Sequence, residues 1–172
     1  MGSAAASATR RRPRGSEFMS SDINRVELTI HSDPRNLPIV RAAVEKLAAL
    51  EGFEPHDVYH ITLAIDEALA NVIKHGYGGK CDQPIVITLQ PVRSPDGRPG
   101  ISVCVRDQGR QVDPALIKGR DLEEVRPGGL GVHIIQSVMD AYNYSCPVDG
   151  GMLLEMVKYA SAKDCPSPSV KV

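Results

Sequence analysis

Between Arg25 and Ser32, apolar Val26, Leu28 and Ile30 alternate with polar residues, a period of two that predicts a half-buried strand. Asp33-Pro34 marks a turn. Leu37, Val40, Val44, Leu47 and Ala48 then recur at helical spacing, which predicts a helix from Leu37 to Leu50 with Gly52 as its stop. Pro55 suits the first turn of a second helix, running to about Lys74 or His75 and ended by Gly76-Tyr77-Gly78-Gly79. Ile85 to Leu89, rich in β-branched residues, reads as a strand. Ser94 to Gly100 is a turn, and Ile101, Val103 and Val105, alternating with Ser102, Cys104 and Arg106, make its hairpin partner. From Asp107 to Gly129 periodicity is lost, with at most a short helical turn near Pro114 to Lys118; a connection this long in a compact domain is usually functional. Leu130 to Met139 predicts a third helix, and Tyr142 to Cys146 and Met152 to Tyr159 two last strands around Asp149-Gly150-Gly151.

The order is β-α-α-β-β-loop-α-β-β. Strands joined by short turns pair antiparallel, and three helices need one sheet face to cover. The expected class is α/β, a two-layer sandwich with a mixed, mostly antiparallel sheet covered on one face by three helices. A length of 172 residues fits one domain. Residues 1–18, small, polar and basic and ending in a Gly-Ser-Glu-Phe stretch, read as an expression tag with the native start at Met19. The domain then spans residues 19–160, and 161–172 form a polar tail.

Setting the tag aside changes the charge balance. The chain has 20 Lys+Arg and 21 Asp+Glu; removing Arg10, Arg11, Arg12, Arg14 and Glu17 leaves 16 against 20, a net charge of −4. A mildly acidic domain with no basic cluster, in a chain with two Phe and no Trp, is a poor nucleic-acid binder. No apolar run approaches the ~18–20 residues that span a bilayer, so a cytoplasmic protein that binds no membrane is expected. Cys81, Cys104, Cys146 and Cys165 form no CxxC pair, which disfavours zinc or a disulfide framework. Cys104, within an apolar alternation, is expected to act as a small core hydrophobe.

The second helix carries the first candidate chemistry. Ile61, Ile65, Ala68 and Val72 share one stripe, which should face the sheet. Glu67, Asn71 and Lys74, at i, i+4 and i+7, form another stripe roughly 120° away. The Asn71 carboxamide is a hard, neutral ligand suited to Mg²⁺; Lys74 can offset phosphate charge, and Glu67 can hydrogen-bond an attacking hydroxyl or water. An ordinary solvated face accounts for the same three residues. His60, His75 and His133 read as helix-face or capping groups, Met139 and Met152 as core.

Two further features are rich in glycine. In Arg126-Pro127-Gly128-Gly129-Leu130-Gly131-Val132-His133, glycines just before a helix let backbone N–H groups approach an anion. This loop fits neither the Walker nor the Rossmann fingerprint. Arg106-Asp107-Gln108-Gly109 ends an alternating strand, where a carboxylate could accept from an exocyclic amine and Gly109 permits close approach.

In this order, Glu67-x-x-x-Asn71, Asp107-x-Gly109 and Gly129-x-Gly131 resemble the N, G1 and G2 boxes of the GHKL ATPase superfamily. The span from Ile61 through Gly76-Tyr77, with Pro127-Gly-Gly-Leu-Gly-Val-His, is similar to the bacterial anti-sigma-factor serine kinases, and the match extends over residues 24 to 160. The resemblance implies a Bergerat fold that binds Mg·ATP. It implies Asn71 on Mg²⁺, Asp107 on the adenine amine, Gly109 lining the pocket, and Gly129, Leu130 and Gly131 presenting amides to the phosphates. It further implies Glu67 as the catalytic residue orienting the attacking hydroxyl, and Lys74 near the phosphates. The implied partners are a sigma factor and a STAS-type anti-anti-sigma substrate, with homodimerisation. A non-catalytic ATP-binding module in another partner switch is the alternative. Two departures stand out: Gln111 replaces a second glycine of the G1 box, and Pro127 holds the usual position of a lid arginine, leaving Arg126 one step away and its contact with the γ-phosphate or a partner open.

Overall fold

The structure, a computed structural model, describes residues 24–117 and 130–161. The proposed tag, Met19, Arg126, Gly129 and the tail beyond Ser161 lie outside the described residues.

Eight main elements follow the predicted order: β1 (Val26–His31), α1 (Leu37–Leu50), α2 (Pro55–Asn71), β2 (Pro84–Arg93), β3 (Pro99–Asp107), α3 (Leu130–Val138), β4 (Ala141–Ser145) and β5 (Leu153–Tyr159). A short 3₁₀ turn, Pro34–Asn36, leads into α1, capped by the Asp33 carboxylate accepting from Arg35 N at 2.9 Å. Proline stands at the start of α2, where its missing N–H costs nothing. The predicted helical turn after β3 is a 3₁₀ turn over Pro114–Leu116.

The five strands lie in the order β1-β2-β3-β5-β4, and each neighbouring pair is antiparallel. Ile85, Ile87 and Leu89 of β2 stand opposite Asp107, Val105 and Val103 of β3, and all six are buried. Against this face pack Val40 and Val44 of α1, Ile61, Ile65 and Ala68 of α2, and Ile135 of α3. Each fully buried aliphatic side chain contributes about 1.5–3 kcal/mol, so the in-phase runs of β2 and β3 hold the layer together.

Cys104 corrects the sequence expectation. Its in-strand neighbours Val103 and Val105 take the helix face, so Cys104 turns to the opposite face of the sheet, between Thr88 and Glu155 in register. It is half-buried, and burial, then the Glu155 carboxylate, push its thiol pKa up. Alternation put an apolar-looking residue on the half-polar side.

Candidate functional site

On α2 the predicted sheet stripe is buried at Ile61, Ile65 and Ala68. Glu67 and Asn71, one turn apart, are half-buried on a different face. No ion pair or hydrogen bond engages either side chain among the described residues. Beside them, Arg41 of α1 donates to Asp66 Oδ2 at 3.0 and 2.5 Å. Such a half-exposed pair is worth ~0–1 kcal/mol, so its effect is to hold α2 in rotation more than to stabilise it.

The α-helix ends at Asn71, earlier than predicted. Val72–Gly76 is a π-helical turn, closed by Tyr77 N donating to Val72 O at 2.9 Å. π-turns within helices recur at functional sites. This wider turn breaks the 100° progression behind the Glu67-Asn71-Lys74 stripe. Lys74 and His75 are exposed, while Ile73 and Tyr77 are buried.

The amino end of α3 meets α2 at this stripe. Leu130 is exposed and Gly131 buried. A Cβ built on Gly131 would lie 2.5 Å from Glu67 Oε2, 3.3 Å from Glu67 Cβ and 3.4 Å from Asn71 Nδ2. Only glycine lets the start of α3 approach the carboxylate and the carboxamide this closely. First-turn N–H groups have no helical partner, so the juncture joins an anion-attracting helix start to a metal-suited amide and a carboxylate. Gly129 and Arg126, expected to extend this loop, lie outside the described residues.

Asp107 is only 3% exposed. Its Oδ1 accepts from Gly109 N at 2.7 Å, and its own N–H donates to Met152 O at 3.0 Å. Burial raises its pKa; the Gly109 and Met152 backbone and the Arg106 guanidinium pull the other way. A Cβ on Gly109 would fall 2.7 Å from Gly76 C and O, so the post-strand loop packs directly on the π-turn. Arg110 N donates to Gly76 O at 3.0 Å. On the other side Arg106 donates to Asp149 Oδ1 at 2.9 Å and Gly150 O at 2.6 Å, and bonds the Asp107 carbonyl, tying β3 to the β4–β5 turn.

Of the remaining candidates, His60 Nδ1 contacts His56 O at 2.9 Å, a local helix contact. His133 is half-buried on α3, and Gln111 donates to Pro147 O at 2.9 Å. Met139 is buried; Met152 is half-buried, its sulfur 3.5 Å from Val112 N and Cys146 Sγ. Sequence reasoning passed over Tyr77 and Arg106. Tyr77 follows the glycine that ends α2, and Arg106 immediately precedes Asp107; that adjacency was the available signal. No helix among the described residues is long and apolar enough to cross a membrane.

Residues 30–158 match the family model described as the histidine kinase-like ATPase domain. Among curated relatives, the serine-protein kinase RsbW of Listeria innocua serovar 6a is 26% identical over 151 residues, covering 84% of this chain and 93% of that protein. RsbW of Bacillus velezensis is 23% identical over 153 residues, covering 84% and 91%. Among solved structures, the SiaB–SiaC complex from Pseudomonas aeruginosa aligns with a TM-score of 0.56 and 16% identity over 77% of this chain and 88% of that one. The RsbU and RsbW domains of Rv1364c from Mycobacterium tuberculosis align with a TM-score of 0.51 and 18% identity, over 79% of this chain and 33% of that longer one. At these identities the structural likeness speaks for the fold.

Proposed function

The chain belongs to the histidine kinase-like ATPase domain family, and on that premise we propose that it is an ATP-dependent serine/threonine protein kinase of a partner switch. In this reading it phosphorylates a STAS-type anti-anti-sigma protein and otherwise holds a sigma factor, acting in the cytoplasm on transcription and forming homodimers. The observation that carries it is the juncture at Gly131, where a helix start presses on a carboxylate and a carboxamide that have no partner among the described residues. The names of the curated relatives, serine-protein kinases, support the reaction class. Residues 19–160 form the catalytic domain, with 1–18 as a tag.

Asp107 accepts from the adenine amine, with Gly109 as the adjacent wall. The amides of Gly129, Leu130 and Gly131 face the phosphates, and Lys74, which no carboxylate engages among the described residues, offsets their charge. Asn71 fits Mg²⁺: its carboxamide is a hard neutral donor with no partner of its own among the described residues. When bound, the ion neutralises phosphate charge. Glu67 orients the attacking hydroxyl. Arg126 reaches either the γ-phosphate or the partner. Phosphoryl transfer needs little covalent help, so positioning and charge supply most of the catalysis.

The test is transfer of labelled phosphate from ATP to a STAS-domain protein. Binding of ATP without transfer to any hydroxyl would overturn the kinase assignment. Two variants probe the parts. Asn71→Ala should weaken Mg·ATP about tenfold or more, the loss of a bond to a charged group. ATP affinity should then no longer respond to added magnesium, as followed by calorimetry; a variant with the wild-type magnesium response would remove Asn71 from the metal. Gly131→Ala should fold, because the atom its methyl would clash with at 2.5 Å is the far end of the flexible Glu67 side chain, Glu67 Cβ at 3.3 Å needs a shift of only a few tenths of an ångström, and alanine gains up to ~1 kcal/mol of helix propensity. Its melting temperature should hold while transfer falls, since the Glu67 carboxylate must move; an unchanged rate would separate Gly131 from Glu67's role.

A further inference from the structure

Three successive amides leave the end of β3 with no strand to pair with, and each is satisfied locally. Gly109 N donates to Asp107 Oδ1 at 2.7 Å, Arg110 N to Gly76 O at 3.0 Å, and Gln108 N to the Tyr77 hydroxyl at 2.7 Å. The same hydroxyl donates to Pro84 O at 2.5 Å. One buried phenol thus joins the first residue of β2 to the residue following Asp107. Ile85 and Asp107 are register partners, so Tyr77 closes the last rung of this hairpin from the helix side.

Tyr77 reaches that place because the π-turn brings the chain over the strand ends. Tyr77 is 8% exposed and belongs to the hydrophobic core, so its position is set by packing. Burial pushes its pKa up against the pull of the Gln108 amide, which keeps the hydroxyl an O–H donor. A hydroxyl donates once and accepts from others, and here one donor and one acceptor role are both used.

We propose that Tyr77 is a positioning residue for base recognition: by holding the Gln108 amide and the Pro84 carbonyl, it fixes the depth and orientation of the Asp107 carboxylate and thereby the preference for ATP over GTP. The inference rests on Asp107 receiving the adenine amine. A rigidly held carboxylate accepts from an exocyclic amine and repels the carbonyl that guanine presents at the equivalent position. A carboxylate on a loosened strand end can turn away, and the distinction fades.

Tyr77→Phe keeps the ring and the packing but strands one part-buried N–H and one part-buried C=O. Two measurements on the full chain test the proposal. Without nucleotide, amide hydrogen exchange of Gln108 should be slow in the wild type and about tenfold or more faster in Tyr77→Phe. Interior amides of β2 and β3 should keep their protection. Competition binding should show ATP affinity reduced about tenfold with GTP affinity unchanged, so that the ATP preference shrinks. Open-loop exchange of Gln108 in the wild type, which needs no variant, would overturn the proposal. So would an unaltered nucleotide preference in Tyr77→Phe, or equal weakening of ATP and GTP, the signature of a general softening. A wild-type chain that binds neither nucleotide would instead sink the assignment of Asp107 to adenine. Gln108 exchange would then still decide whether Tyr77 holds the strand end.

Discussion

Glu67→Ala should lower phosphoryl transfer to the partner's hydroxyl by about 10²–10⁴-fold, the range associated with a positioned acid–base group, while leaving Mg·ATP bound. The carboxylate is half-buried, unpaired among the described residues and in contact range of Gly131 at the described start of α3. A group that stabilised the fold would be expected to have a partner, and among the described residues this one has none. The sign for nucleotide affinity follows from charge. A carboxylate near a triphosphate repels it, so its removal should leave ATP affinity equal or slightly tighter. Single-turnover transfer to a STAS-domain substrate measures the first effect and calorimetry the second. If transfer and binding fall together, Glu67 shapes the site without acting in the reaction. If neither changes, the chain works as a nucleotide-binding regulatory module, the alternative that the same motifs allow.

Much of the fold is legible because both periods are strong. Val26, Leu28 and Ile30 mark β1 by alternation, and the apolar positions of α1 recur at helical spacing to its observed ends, Leu37 and Leu50. What periodicity cannot carry is long-range choice. That β5 inserts between β3 and β4 depends on pairing across some fifty residues, from Gly100 against Tyr159 to Arg106 against Leu153, and no local signal encodes it. The end of α2 was missed for a related reason. Val72 to Gly76 contains nothing that excludes an α-helix until the glycine, and the π-turn is set by burying Ile73 and Tyr77 against the strand ends.

The candidate site divides along the same line. Glu67 and Asn71 lie at i and i+4, so their shared face is written in the sequence; their contact with Gly131, sixty residues on, is not. Asp107 was read as emerging where β3 stops. Its phase with Ile101, Val103 and Val105 places it inward, and the structure buries it. That phase was available. For Tyr77 the sequence offered only its place after Gly76; the partners of its hydroxyl are backbone groups, which every sequence possesses.

Asp107→Asn should separate binding from stability. The carboxylate is buried without a counter-charge strong enough to cancel its desolvation, so its pKa is raised. For an acid whose folded-state pKa exceeds its unfolded value, the folded protein bears a cost. That cost is fully present above the folded pKa and disappears as pH falls towards the ordinary Asp value of about 3.9. Asparagine is nearly isosteric, retains an oxygen for the Gly109 N–H and has no charge to desolvate. The variant should therefore melt at the same or a higher temperature at neutral pH, with the difference closing in acid. Nucleotide binding should move oppositely, since turning one oxygen into an NH₂ sets donor against the adenine amine. An affinity loss on the order of 10–100-fold follows from one lost charged hydrogen bond and one unmet donor. The wild type should also lose ATP affinity as pH drops through the raised pKa, at a pH above the usual Asp range, whereas the variant should have no such step. Thermal melts and calorimetry across pH read all three. An Asn variant that binds ATP as tightly as the wild type would move adenine away from Asp107. One that unfolds would mean that the buried charge stabilises the strand end, contrary to its raised pKa.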